Sequence, residues 1–201
     1  CTFNGSSGTI TGENCGDYVG QKYIDTGIAL YSETNKNKDY EIGFTINSYT
    51  PTDNESRATL MNTKLEATGY PGVVFRRNDE TDNFVLQSRK TSSANEQKTF
   101  AYNTVTSVKV YRISNEIYYS INGGDKVLLN NLTEYKSTFN LTTWFGAAPS
   151  NEAGTAAQRY LKGTLSNMYI KLGEYEEAGK FKVTFNPNGG EVTPTYKFIT
   201  A

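Results

Sequence analysis

The chain has 201 residues, 20 Lys plus Arg against 21 Asp plus Glu, and a net charge of -1. That length suits one large domain, or a domain plus a fragment, hiding roughly 70% of its unfolded surface. The near balance of charge supplies no field to draw in nucleic acid or an anionic membrane. The absence of His removes Ser-His-Asp and Cys-His nucleophiles and any His-containing zinc site.

Residues 1–21 are rich in Gly, Ser, Thr and Asn and read as loop with one short strand around Thr2 and Phe3. Cys1 and Cys15 are the two cysteines. A disulfide between them would contribute about 3 kcal/mol in the chain-entropy model; both thiols reduced, or Cys1 as the lipid-modified first residue of a mature lipoprotein, are equally open readings. With no basic signal region and no apolar run near the length of a membrane span, a mature segment without a span is expected.

Period-two alternation then takes over. The first clear strand is expected over Tyr23 to Leu30, and the next over Tyr40 to Tyr49, where Tyr40, Ile42, Phe44 and Ile46 share one face and Glu41, Gly43, Thr45 and Asn47 the other. Further strands are expected at Arg57 to Thr63, Gly72 to Arg77, Asn83 to Lys90, Val105 to Ile113, Ile117 to Ile121, Lys126 to Leu129, Leu141 to Ala147 and Tyr160 to Leu172. Ser114-Asn115 and Asn122-Gly123-Gly124-Asp125 are tight turns that join three of these into a meander. Only Glu174 to Ala178 suggests a helical turn, so helix content is expected to be small. A boundary near residue 176 separates residues 1–175 from a tail, 176–201, with strands at Phe181 to Phe185 and Thr195 to Ile199 around a Pro-Asn-Gly-Gly turn. Fifteen Tyr and ten Phe against one Trp fit sheets with polar outer faces, and so many short runs between turns imply an all-β sandwich or barrel.

Phe3-Asn4-Gly5, Tyr23-Ile24-Asp25-Thr26-Gly27-Ile28, Asp39-Tyr40-Glu41-Ile42, Tyr118-Tyr119-Ser120-Ile121-Asn122-Gly123 and Leu161-Lys162-Gly163-Thr164-Leu165-Ser166-Asn167-Met168-Tyr169-Ile170, in that order, resemble the bacterial laminin G-like, concanavalin A-like jelly rolls over about 170 residues. The resemblance implies a two-sheet antiparallel jelly-roll sandwich whose stand-alone members bind glycan or protein without catalysis. The tail, Val183-Thr184-Phe185-Asn186-Pro187-Asn188-Gly189-Gly190-Glu191-Val192, resembles the opening of the Listeria-Bacteroides repeat, a small β-grasp unit of bacterial surface proteins. At about 20 residues it is too short for a core of its own, so it is expected to be a clipped repeat or a hairpin extension. Together the two imply a monomeric, extracellular module of a multidomain surface protein.

For glycans the chemistry asks for an aromatic plane flanked by Arg, Asn or Asp. Candidates are the loop residues Tyr49, Tyr70 and Tyr102, the strand-end residues Arg76, Arg77 and Asn78, and Trp144. Adjacent arginines project to opposite faces, so only one of Arg76 and Arg77 can face a shared groove. Trp144 and Phe145 also point oppositely, so one of them is core, with Phe145 favoured. Calcium is the expected ion, since related jelly rolls hold one near the N-terminal segment and the last long strand; Asp17, Asp25 and Asn167 are its candidate ligands. Asp25 serves equally well as a turn residue bonding the Gly27 amide. Hydrolysis of glycosides needs two facing carboxylates; Glu41 stands alone and is expected to be solvated at a strand entrance, so no enzyme is expected. A spacer that merely holds a distal domain outward is the alternative to recognition of a glycan or of a host or neighbouring cell surface.

Overall fold

The computed structural model describes residues 2–6, 9–13, 22–51, 57–64, 72–79, 81–89, 95–131, 140–151, 153–173, 180–184 and 196–200; for 2–6, 9–13, 95, 180–184 and 196–200 only the backbone is described. Seventeen strands occur among them: β1 (Thr2–Ser6), β2 (Thr9–Glu13), β3 (Ile24–Asp25), β4 (Tyr40–Tyr49), β5 (Thr59–Asn62), β6 (Gly72–Arg77), β7 (Asn83–Arg89), β8 (Asn95–Ala101), β9 (Ser107–Ile113), β10 (Glu116–Ile121) and β11 (Val127–Asn131), then β12 (Trp144–Phe145), β13 (Ala148–Pro149), β14 (Ala157–Gln158), β15 (Gly163–Leu172), β16 (Lys180–Thr184) and β17 (Tyr196–Thr200). The single helical element among the described residues is a 3-10 turn, Tyr102–Thr104.

The protein is an all-β, two-sheet antiparallel jelly-roll sandwich. One sheet has seven strands in the order β1-β2-β15-β4-β9-β10-β11 and the other six in the order β3-β12-β5-β6-β7-β8. The last long strand, β15, lies between β2 and β4, and β12 lies between β3 and β5, so each sheet is closed by a segment distant in sequence. Short pairs β13-β14 and β16-β17 complete the list of sheets. The tail therefore pairs with itself, Lys180 opposite Thr200, as the expected hairpin; the boundary near 176, the acidic turn from Glu174 and the repeat-like turn fall outside the described residues.

Alternation places Ile42, Phe44, Val110 and Tyr119 in the core with Val73, Phe75, Phe84 and Phe145 from the opposite sheet. Aromatic rings cross the interlayer: Phe44 meets Phe75 at 5.8 Å and Phe145 at 5.9 Å, and Phe100 meets Tyr119 at 5.6 Å. Each such pair adds about 0.5–1.5 kcal/mol beyond the area it buries. The meander forms as its turns dictate, with Ile113 opposite Glu116 and with Asn122 and Gly123 at φ of 54° and 75°, the left-handed values of a tight turn closed by the Gly124 amide on the Ile121 carbonyl at 2.9 Å.

The structure departs from the sequence reading at the edges. The N-terminal stretch forms two strands, β1 and β2, where one was expected. Only Ile24–Asp25 of the expected Tyr23 to Leu30 strand forms, because the Asp25 and Thr26 side chains accept the Gly27 and Ile28 amides and Gly27 turns the chain at φ 70°. Strand β8, Asn-Glu-Gln-Lys-Thr-Phe-Ala, is not among the expected strands; it is an edge strand whose Glu96 to Thr99 are all exposed, so neither face carries the alternation that marks a half-buried strand.

The N-terminal end of β4 is sealed by polar side chains. The Tyr31 and Tyr40 hydroxyls lie 2.9 Å apart, both rings fully buried. Arg112, also buried, donates from Nε to the Ser114 carbonyl at 3.2 Å, and the Ser114 amide donates to Asp39 Oδ1 at 2.7 Å. Burial pushes both tyrosine pKa values above the ordinary 10; Arg112 opposes the rise at each.

Candidate functional site

The opposite end of β4 gathers residues from three connections. Tyr49 closes the strand, and the turn 78–82 between β6 and β7 is fixed by the Asn78 amide on the Asn83 carbonyl at 2.8 Å and the Thr81 amide on the Asn78 carbonyl at 3.0 Å. The Tyr102 amide donates to the Asp82 carbonyl at 3.3 Å, tying the 3-10 turn to that hairpin. The ring of Tyr49 packs on Phe84 at 4.8 Å and edge-on to Tyr102 at 5.7 Å. Tyr49 and Tyr102 are half-buried while Asp82 is exposed.

Arg77 is buried, and its Nε donates to the Thr81 carbonyl at 3.0 Å. The Tyr49 hydroxyl is buried with no hydrogen-bond partner. Its pKa is pushed up to about 12, first by burial and then by the charges of Asp82 and Tyr102, against the pull of the Arg77 guanidinium. A phenol held neutral there remains an O–H donor through any physiological pH. The rim thus offers two tyrosine rings, an inward hydroxyl and an exposed carboxylate on a rigid base, the makings of a site for a hydroxyl-rich ligand.

Of the residues singled out from sequence, Tyr49, Arg77, Asn78 and Tyr102 share this end. Arg76 does not: it projects to the other face of its sheet, where Nη1 donates to the Arg77 carbonyl at 2.8 Å and reaches Asp79 Oδ1 at 3.4 Å. Asp79 is also held by Arg57 through Nε and, at 3.1 Å, through Nη2. Burial alone would raise the Asp79 carboxyl, but the Arg57 hydrogen bond and the charges of Arg76, Arg57 and Arg159 outweigh it and hold the pKa below 3.8.

Trp144 lies elsewhere, on β12, and offers no open plane. It is 1% exposed, stacked on Tyr23 at 4.7 Å, with Nε1 donating to Thr142 Oγ1 at 2.9 Å. Phe145 is the residue that enters the core. Glu41 also differs from its expectation: it is not solvated but 8% exposed, because Tyr169 from the neighbouring strand donates its hydroxyl to Oε1 and covers it.

Asp25 Oδ1 accepts the Gly27 amide at 3.0 Å, which is the turn role. Asn167 sits at φ 49° in the irregular part of β15 and donates to Thr45 Oγ1 at 3.3 Å. The two stand in different sheets with separate partners, and among the described residues no group of three or more Cys, Asp or Glu is placed to hold a metal. Tyr70, Asp17, Cys1 and Cys15 fall outside the described residues.

Asp82 and Phe84 join the site without having been singled out. Their signal was weak: Asp82 is one of several acids in a turn, and its meeting with Tyr102 depends on the β7-β8 hairpin, whose polar second strand hid the pairing.

No protein-family model matches the sequence, and no curated protein does. Among solved structures, the chain is similar to the LG4-5 domains of mouse laminin alpha1 chain, at 9% identity and a TM-score of 0.45 over 87% of this chain and 44% of that one. It is similar to a botulinum neurotoxin type C structure, titled for its interaction with two ganglioside molecules, at 13% identity and a TM-score of 0.40 over 69% of this chain and 33% of that one. A third, a carbohydrate esterase from Shiga toxin-encoding bacteriophage phi24B, is matched at 9% identity and a TM-score of 0.37 over 85% of both chains. The chain spans less than half the length of the first two.

Proposed function

We propose that this chain is a non-catalytic, lectin-like module of a bacterial cell-surface protein, outside the cell, that recognises glycans on a host or neighbouring surface through the Tyr49 end of the sandwich. One observation carries the reading: the Tyr49 hydroxyl is buried beside Arg77, Asp82 and the half-open ring of Tyr102, and has no partner of its own. Leaving a buried hydroxyl unbonded costs about 1–3 kcal/mol, a cost that a ligand hydroxyl would relieve on binding. The laminin G-like resemblance and the repeat-like tail support the surface setting. A structural calcium belongs to the same proposal with Asp17 as its candidate ligand, because Asp25 and Asn167 lie in different sheets and hold separate partners.

A broad array of neutral glycans, probed with calcium present and followed by calorimetry, tests it. Capture of a glycan class by the wild type, weakened at least tenfold by Tyr102→Ala, is expected. Capture of nothing would leave the chain as a spacer. Calcium is tested separately, by a rise in Tm on its addition that Asp17→Asn abolishes; an unchanged Tm removes the ion from the account.

A further inference from the structure

The outward face of the seven-stranded sheet carries a second constellation. Strand register places Tyr169, Gly43 and Lys109 in one row across the sheet, and Lys171, Glu41 and Tyr111 in the next. A Cβ on Gly43 would lie 2.3 Å from Tyr169 Cε1, so glycine there is what lets the phenol ring rest on bare backbone. The Tyr169 hydroxyl donates to Glu41 Oε1. Lys109 Nζ stands 3.9 Å from that same oxygen and Lys171 Nζ 4.0 Å from Oε2, with Lys171 also 5.2 Å over the Tyr169 ring.

Exposure separates the roles. The Glu41 side chain is 10% exposed, whereas those of Lys109 and Lys171 are 47% and 55% exposed. A carboxylate out of water must be paired, so Glu41 acts as an internal anchor that fixes the ring and gathers two ammonium groups. Two cations then share one anion beside an aromatic plane, and the exposed lysine stems can swing aside in picoseconds to nanoseconds. Further along the face, Lys126 lies 5.6 Å over the Tyr111 ring and Glu116 accepts the Tyr118 hydroxyl, so Lys109, Lys171 and Lys126 face Glu41 and Glu116, a surplus of one positive charge among these groups.

We infer that this face is a second recognition surface, built for the carboxylate-bearing rings of an acidic oligosaccharide. The C–H side of a sugar ring stacks on Tyr169 while its carboxylate pairs with Lys109 and Lys171. The small positive surplus, on a chain whose net charge is -1, suits spaced carboxylates rather than the dense phosphates of a nucleic acid. The inference shares its ligand class with the rim site but none of its residues, so the two fail independently.

Calorimetric titration with an oligogalacturonate, its methyl ester of equal length and a sulfated oligosaccharide tests it. The acidic oligomer is expected to bind with an affinity that falls as salt rises, and the ester at least tenfold more weakly. Lys109→Gln with Lys171→Gln, checked for fold by circular dichroism, is expected to lose at least tenfold; should the pair fail to fold, Lys171→Gln alone is expected to lose at least threefold. Tyr102→Ala is expected to leave this binding unchanged. The inference is overturned if the wild type binds none of the three, if ester and acid bind alike, if the sulfated chain binds as well as the carboxylated one, or if the lysine variants bind normally.

Discussion

The two ends of β4 are bounded by tyrosines that read alike in sequence and behave oppositely in the fold. Tyr40 and Tyr49 end a ten-residue strand, roughly 30 Å apart at about 3.3 Å per residue. At the first end, Tyr40 bonds Tyr31 within a fully buried layer that also holds Arg112. At the second, Tyr49 packs on Phe84 and Tyr102, stays half-buried, and its hydroxyl bonds nothing. A tyrosine whose polar tip is bonded within the fold is a structural part; the unbonded tip of Tyr49, next to exposed polar groups, is what the proposed glycan reading rests on.

The largest expected effect is at the sealed end. Tyr40→Ala should cost about 3–5 kcal/mol, as removal of a fully buried aromatic ring does, read as a lower urea midpoint. At the open end, Tyr102→Ala should cost at most about 1 kcal/mol of stability, since the ring is half-exposed, while weakening glycan capture at least tenfold. Equal losses of stability at the two positions would break the comparison.

Removing the hydroxyls alone sharpens it. Tyr40→Phe should cost about 1 kcal/mol, because it breaks the buried hydrogen bond to Tyr31, whereas Tyr49→Phe should be neutral or slightly stabilising because no bond is lost. Chemical denaturation of both variants checks the sign. The smallest effect is on alkaline stability. Tyr31 and Tyr40 have folded pKa values raised above the unfolded value near 10, so their contribution is complete below about pH 10 and is lost as pH rises through the folded values. Unfolding free energy should fall above that pH, with a shallower slope in Tyr31→Phe with Tyr40→Phe.

Strand β4 was legible from its period-two alternation, and β6, buried on both faces, as a short run bounded by turn residues. β4 and β6 have the expected ends, and the meander follows from Asn122-Gly123. What escaped were the edge strand β8 and the short pair β13-β14, where pairing is imposed by tertiary neighbours, and the extents of β3 and β12, each only two residues of a longer expected run. The rim residues Tyr49, Arg77, Asn78 and Tyr102 were legible as strand ends and loops, but Asp82 was not, since its place depends on tertiary pairing. The burial of Glu41 was illegible for a related reason. Alternation assigned it to the solvent face, and only the close approach of Tyr169 over Gly43, from a strand 128 residues away, removes it from water. Trp144 repeats the lesson, facing outward from its sheet yet sealed by Tyr23.

The central claim, that the open end of β4 is where ligand is recognised, is tested most directly by probing one neutral glycan array with the wild type, Tyr102→Ala and Tyr169→Ala in parallel. The account predicts that wild type and Tyr169→Ala capture the same glycans and that Tyr102→Ala loses them. Capture by Tyr102→Ala of the full wild-type set, or no capture by any of the three, would contradict it.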